Sequence, residues 1–264
     1  MKKIFNLIYR VVVPLLLIIL IVVIWQIATD RVNEVRAENR QTSLEFFFPS
    51  PRNIFNSFID NFSNIQSSIG NTLVKSFVGF IIGVFLAIAI AMLYYIFPRL
   101  RNATIPVAYA INSFPITGLI PIIVLTFGQG TFLSVVIVSI LICYFPMLIT
   151  IDGAFKNIDQ RYVEFLRIYK ANRLQILKYA NIPLTLPNFF VSLRMSIPAS
   201  IIGAILGEWM GSGKGIGRLM VLSVYRMEAG LLYACMVEIA LICAVLTLLV
   251  ELLGRKVVFW NKSS

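Results

Sequence analysis

The run Gly211-Ser212-Gly213-Lys214-Gly215 is the one stretch of this sequence that resembles a phosphate-cradling loop. Such a loop needs a glycine five residues before its second glycine and a Ser or Thr after the lysine. Glu208 and Gly215 stand at those positions, so the run reads as a loop without a nucleotide. Nucleophilic and metal chemistry fare no better. The chain has no histidine, and Cys143, Cys235 and Cys243 each lie inside an apolar run with no metal-ligand or disulfide spacing. Scattered acids assemble no base or nucleophile, which excludes a membrane enzyme with a clustered site and predicts no metal. Chemistry remains in two places. The first is a polar segment at 152–187 containing Glu164. The second is a set of ionisable residues inside apolar runs: Lys75, Arg194, Glu208 and Glu238.

The elements that position these residues follow from composition. Of 264 residues, 59% are apolar and 13% charged, with a mean hydropathy of +0.87. A soluble domain is roughly 45–50% apolar and about 25% charged. The excess predicts an all-α integral membrane protein. Six spans are expected at about 11–28, 72–97, 103–127, 132–151, 188–209 and 231–253, with the third broken by Pro106, Pro115 and Pro121. The first run is longer than a signal-peptide core and lacks a following cleavage site, so it reads as a retained helix. The organisation is an N-terminal helix (1–28), a segment with an amphipathic helix (29–71) and a core of five spans (72–264). In the second segment Ile54, Phe55, Phe58, Ile59 and Phe62 recur at helical spacing after Ser50-Pro51, on the membrane surface or against the bundle.

Charge orients this arrangement. With both termini in the cytoplasm, the inner segments carry fourteen Lys and Arg and the outer ones eight. The lysine and arginine bias favours that orientation and accounts for 23 basic against 12 acidic residues without nucleic acid.

The inner segment 152–187 reads as a charged helical hairpin between the fourth and fifth spans. Val163, Leu166 and Tyr169 share a face of the first piece. Leu174, Leu177 and Ala180 follow in the second, which Pro183 and Pro187 stop. Two readings stand: a solvated loop, or a docking element for a cytosolic partner. Glu164-Phe165-Leu166, Lys170-Ala171-Asn172, Ile182-Pro183 and Pro187 resemble the EAA loop of ABC importer permeases. Glu164, Pro183 and Pro187 match that pattern with its spacing. Phe165 and Leu166 replace two alanines, and Lys170 stands where the family has glycine. Asn172 is the residue expected to take the left-handed conformation in its place, or else the turn is wider. Further pieces resemble the branch that imports nitrate, sulfonates, taurine and pyrimidine precursors. These are Pro49-Ser50-Pro51, the stretch opening the second span, Asn112-Ser113-Phe114-Pro115 with Pro121, and Gly207-Glu208 followed by Gly215-Ile216-Gly217.

The resemblance implies an alternating-access importer in a bacterial-type inner membrane. It implies a second permease subunit, often an identical one, two separate ATPase subunits that bind ATP and Mg, and an external solute-binding protein. This chain itself would hold no cofactor. Residues Glu164, Phe165, Leu166, Lys170, Ala171, Asn172, Pro183 and Pro187 would then couple ATPase closure to the fifth span. A rival account, a secondary transporter or channel without ATP, predicts internal repeats and several charges midway in the spans.

Broken backbone at membrane depth is tolerated only in protein or along a cavity. Asn112, Ser113, Phe114 and Pro115 therefore read as pathway lining or as a simple kink. Glu208 reads as a gate or pathway group paired with Lys214 or Arg218, or as a solvated interfacial carboxylate. Arg194 and Lys75 read as snorkelling side chains, and Glu238 as deep, with a partner across the bundle. Gly79, Gly83 and Ala87 form a small-residue face for close helix packing.

Overall fold

Apolar runs bounded by polar ends produce long helices, and proline punctuates them. A computed structural model describes residues 2–38, 48–210 and 213–260. Gly211 and Ser212 of the loop discussed above, Arg40 and Lys262 lie outside the described residues. The helices are α1 (Lys2–Glu38), α2 (Pro51–Asp60), α3 (Phe62–Ile96), α4 (Pro98–Ser113), α5 (Ile116–Phe127), α6 (Phe132–Lys156), α7 (Gln160–Ile168), α8 (Arg173–Ile176), α9 (Ile182–Trp209), α10 (Ile216–Tyr225) and α11 (Ala229–Val257). A five-residue π turn, Leu177–Asn181, joins α8 to α9.

Among the described residues, five helical stretches are long and apolar enough to cross a membrane: Val12–Arg36, Phe62–Ile96, Phe132–Lys156, Arg173–Trp209 and Ala229–Val257. The third span, expected to be broken by its prolines, is broken at one of them, Pro115. It is divided into α4 and α5, of 16 and 12 residues. At 1.5 Å per residue, α5 reaches only about 18 Å of a ~30 Å hydrocarbon core. The break lies at Phe114-Pro115, because the proline ring disfavours a helical conformation in the residue before it. Pro115 sits extended (φ −63°, ψ 109°) ahead of α5.

The chain forms two compact units. One comprises Met1–Ser67 and Leu219–Glu238. There Ser50 caps α2 by accepting from the Asn53 N–H at 3.2 Å, and Trp25, Phe48 and Tyr233 form an aromatic cluster with centroids 5.3–6.4 Å apart.

The other comprises Ser68–Arg218 and Ile239–Ser264. Helix α6 is its axis, flanked by α3 and α9. The small residues of α3 do what their spacing predicts. A methyl group on Gly79 would meet the Ser139 side chain, one on Gly83 would meet Cys143 Sγ, and Ala87 is fully buried. From α9, Gly203 lies so close that a Cβ would stand 2.7 Å from Ser139 Cα, and Gly207 lies against Val135. Hydrogen bonds fix the register: Ser139 Oγ donates to the Ser200 carbonyl at 2.8 Å, and Ser196 Oγ to the Cys143 carbonyl at 3.3 Å. Small side chains let the backbones approach, and helix carbonyls satisfy hydroxyls that lipid would leave unpaired.

Candidate functional site

The segment after α6 is a small folded unit with its own core. Ile158, Val163 and Ile176 are buried together, with Phe155, Leu166, Ala171 and Leu184 packed on them. Asp159 caps α7 by accepting from the Arg161 N–H at 3.0 Å. The Arg161 guanidinium clasps the same carboxylate, with Nε at 2.9 Å and Nη2 at 2.7 Å. That guanidinium, with the backbone bond, holds the Asp159 carboxyl below the usual carboxylate range, and the carboxylate raises Arg161 in return.

Helix α7 ends in a Schellman turn. The Ala171 N–H donates to the Leu166 carbonyl at 3.1 Å and the Lys170 N–H to the Arg167 carbonyl at 2.9 Å. The left-handed residue that this turn requires is Lys170, at φ 55°. This corrects the expectation that Asn172 takes that conformation. Asn172 is extended (φ −77°, ψ 170°) and opens α8 through a capping box: its Oδ1 accepts from the Gln175 N–H at 2.9 Å, and Gln175 Oε1 accepts from the Asn172 N–H at 2.7 Å. The chain keeps the tight turn and accepts a side chain in the region glycine favours.

Two further expectations change. Pro183 and Pro187 do not stop the second arm. The π turn, closed by the Ile182 N–H on the Leu177 carbonyl, delivers Pro183 to the first positions of α9, where a missing N–H costs least. Pro187 and Pro198 lie inside α9. The buried faces also differ: Val163 points inward and Leu166 is half-buried, but Tyr169 and Leu174 are 71% and 73% exposed, and Ile176 is buried in their stead. Outward with Tyr169 and Leu174 stand Glu164, Phe165 and Ile168, and the rings of Phe165 and Tyr169 lie 5.1 Å apart. The unit thus has a packed inside and an apolar, aromatic outside.

At the other end of α9, Glu208 is enclosed, 1% exposed. Its ion pair is with Lys75 of α3, whose Nζ lies 2.8 Å away and also donates to the Lys214 carbonyl at 2.6 Å. Thr72 Oγ1 donates to the carboxylate at 2.8 Å, the Gly217 N–H donates at 2.9 Å, and Thr72 Oγ1 accepts from the Ile216 N–H at 2.8 Å. The sequence expected Lys214 or Arg218 as partner and Lys75 as a snorkelling residue; Lys214 enters through its backbone. Gly215, at φ 136°, passes directly against the carboxylate, where a Cβ would collide with it. The cluster ties α3, α9 and the start of α10 together.

Two more pairs were not legible in the sequence. Arg101 at the start of α4 holds Asp152 of α6 with two nitrogens, Nε and Nη2, and both side chains are largely buried. The carboxylate raises the Arg101 guanidinium further above its already high value. Arg194 pairs with Glu251 at 3.0 Å, and Arg255 with the same carboxylate at 2.7 Å. Glu238 accepts a hydrogen bond from Gln66. Asn112, Ser113, Phe114 and Pro115 are exposed at the α4–α5 break.

Long apolar helices pack closely around α6, and a small helical unit with an exposed aromatic side precedes α9. Residues 79–259 match the family described as binding-protein-dependent transport system inner membrane component. The formylaminopyrimidine transport permease protein ThiX of Halalkalibacterium halodurans is 27% identical over 79% of this chain and 80% of its own length. A probable ABC transporter permease protein of Haemophilus influenzae is 24% identical over 86% of this chain and 89% of its own. Among solved structures, an amino acid ABC transporter crystallised with histidines superposes with a TM-score of 0.60 at 18% identity, over 77% of this chain and 97% of that one. The chain belongs to the binding-protein-dependent transport system inner membrane component family. It is a multi-pass permease subunit of an ABC importer, and the family implies ATPase and solute-binding-protein partners; the ATP-independent transporter or channel is not favoured.

Proposed function

We propose that residues Glu164 to Pro187 dock this permease on its ATPase partner and convert ATPase closure into movement of α9. The carrying observation is the exposed apolar tip, Phe165, Ile168, Tyr169 and Leu174, held on a packed base by the Schellman turn at Lys170 and the Asn172 capping box. Exposed aromatic and aliphatic groups on a rigid base suit docking, since little side-chain ordering remains to oppose binding. The arm continues into α9 without a loop, so displacing its seat displaces the helix, in the manner of a two-state element. ATP and Mg belong to the partner.

In this reading α4 and α5 together make the third of six crossings, and both termini are cytoplasmic in a bacterial-type inner membrane. A second copy of the chain completes the pathway. Asn112, Ser113, Phe114 and Pro115, broken and exposed, line it. Glu208 acts at the outer gate by holding α3 to α9. The solute is a small molecule of the nitrate, sulfonate, taurine or pyrimidine-precursor kind, and the relative named for formylaminopyrimidine supports the last.

Affinity purification from mild detergent tests the docking. Wild-type chain co-purifies an ATPase subunit. Glu164→Ala weakens this and deletion of 160–178 abolishes it. Retention of the ATPase by the deletion variant overturns the assignment. The binding protein encoded with the complex then identifies the solute by ligand-dependent stabilisation.

A further inference from the structure

Helix α2 presents three sides, and the inner one is mixed: Ile54 is buried and Phe58 half-buried, beside two polar residues. Its polar residues Asn53 and Ser57 face inward: a Cβ on Gly230, at the start of α11, would collide with Asn53 Oδ1 and Ser57 Oγ. Phe55 and Ile59 lie on a different side, 63% and 56% exposed, with Phe62 just beyond at 51%. A third side carries Arg52, Asn56 and Asp60, all exposed. At 100° per residue these are three separate stripes, one packed, one apolar and one charged.

The depth of the helix follows from what it touches. The Arg52 N–H donates to Gln26 Oε1 of α1 at 3.1 Å. Gln26 sits where the exposed apolar run of α1, from Leu16 to Ile27, gives way to Thr29, Asp30 and Arg31. The aromatic cluster Trp25, Phe48 and Tyr233 is at the same level, and such rings mark the headgroup region. Because α2 touches α1 near the end of its apolar run and α11 at its beginning, it bridges two span ends.

We infer that α2 is an interfacial anchor, seated in the headgroup layer with Phe55, Ile59 and Phe62 in the acyl region and Arg52, Asn56 and Asp60 in water. The occupant of the apolar stripe is lipid, because the stripe lies at the level where the exposed apolar run of α1 ends and its aromatic residues begin. The anchor fixes the height of the ends of α1 and α11 in the bilayer. It stands independently of the coupling role of Glu164 to Pro187.

Single cysteines at Ile59 and, separately, Asn56 test it, in a chain whose Cys143, Cys235 and Cys243 are replaced by alanine. Each is labelled with an environment-sensitive nitrobenzoxadiazole and reconstituted in phosphatidylethanolamine–phosphatidylglycerol vesicles containing lipids spin-labelled near the headgroup or near the acyl terminus. The label at 59 is quenched about threefold more than that at 56 by the shallow lipid quencher, and iodide shows the reverse preference. The deep quencher is weaker than the shallow one at both. Phe55→Cys supplies a second lipid-side position should Ile59→Cys fail to reconstitute. Equal iodide quenching at 59 and 56 overturns the inference in favour of a water-facing helix. Protection of position 59 from both lipid and iodide quenchers overturns it in favour of a protein partner.

Discussion

Removing the ammonium of Lys75 while leaving Glu208 in place strands a carboxylate whose side chain has no exposure to solvent. Lys75→Met keeps most of the stem and deletes only the charge at 2.8 Å. Breaking a buried ion pair by removing one partner costs about 3–5 kcal/mol. Thr72 and the Gly217 N–H still donate to the carboxylate, which places the expected loss near the lower end, about 3 kcal/mol. For a chain of this size 1 kcal/mol moves the midpoint by roughly 2–4 °C, so Tm falls by about 10 °C. Glu208→Gln leaves Lys75, also buried but with 10% of its side chain exposed, the Lys214 carbonyl as acceptor, and costs less. The double variant is more stable than the summed losses predict, by about 2 kcal/mol or more, because neither charge remains to be stranded. The assay is thermal unfolding in detergent with a thiol-reactive dye: Cys143 and Cys235 are fully buried in the folded chain and react only on opening. Additive losses in the double variant, or a Lys75→Met shift under about 2 °C, would refute the reasoning that this pair joins α3 to α9.

Lys170→Gly relieves the left-handed strain at φ 55° and stabilises the turn by about 1 kcal/mol, whereas Lys170→Val destabilises it by about 1–2 kcal/mol; protease resistance of the 160–187 segment reads both. Arg101→Met leaves Asp152 buried without its guanidinium and lowers thermal stability by about 3 kcal/mol, with Arg101→Met/Asp152→Asn recovering part of it. Gly203→Val drives a side chain into the backbone of α6 at Ser139 and gives chain that does not survive size-exclusion chromatography. Because Asp159 is held below the usual carboxylate range, its contribution is present above the ordinary aspartate value and is lost as pH falls through the lowered one. The hydrogen-exchange protection factor of the first turn of α7, taken against the intrinsic rate at each pH, therefore falls on acidification in wild type and less so in Asp159→Asn, which retains a capping oxygen.

What could be read from the sequence was local. The stripe Gly79, Gly83 and Ala87 announces close packing because only small residues admit it, and Pro115 announces the α4–α5 break because its ring constrains Phe114. Ser50-Pro51 and the residues after it name helix α2 and its apolar face. The pairs were hidden by distance along the chain: Lys75 and Glu208 are 133 residues apart, Arg101 and Asp152 51, and Arg194 and Glu251 57. Charge type alone nominates too many partners. Lys170 was hidden for another reason. Propensity assigns left-handed backbone to the nearby asparagine, but the hydrogen bonds to Leu166 and Arg167 fix the turn one residue after Tyr169, whatever the side chain there. The prolines misled because a helix stop is their commonest effect; here a π turn leads into α9 just before Pro183, and Pro187 lies within α9 itself.

That π turn also sets an angle. Each residue advances a helix by about 100°, and the wider turn takes up one residue that an α-helix would not. The face of α8 and the face of α9 are therefore out of phase by an amount decided by the number of residues in Leu177–Asn181. Gain or loss of a single codon in that stretch rotates everything the arm presents relative to everything α9 packs against, while leaving every side chain on either side unaltered. Alignment between the outer side of the arm and the packed side of α9 is thus a matter of counting, and substitutions elsewhere have no means of restoring it.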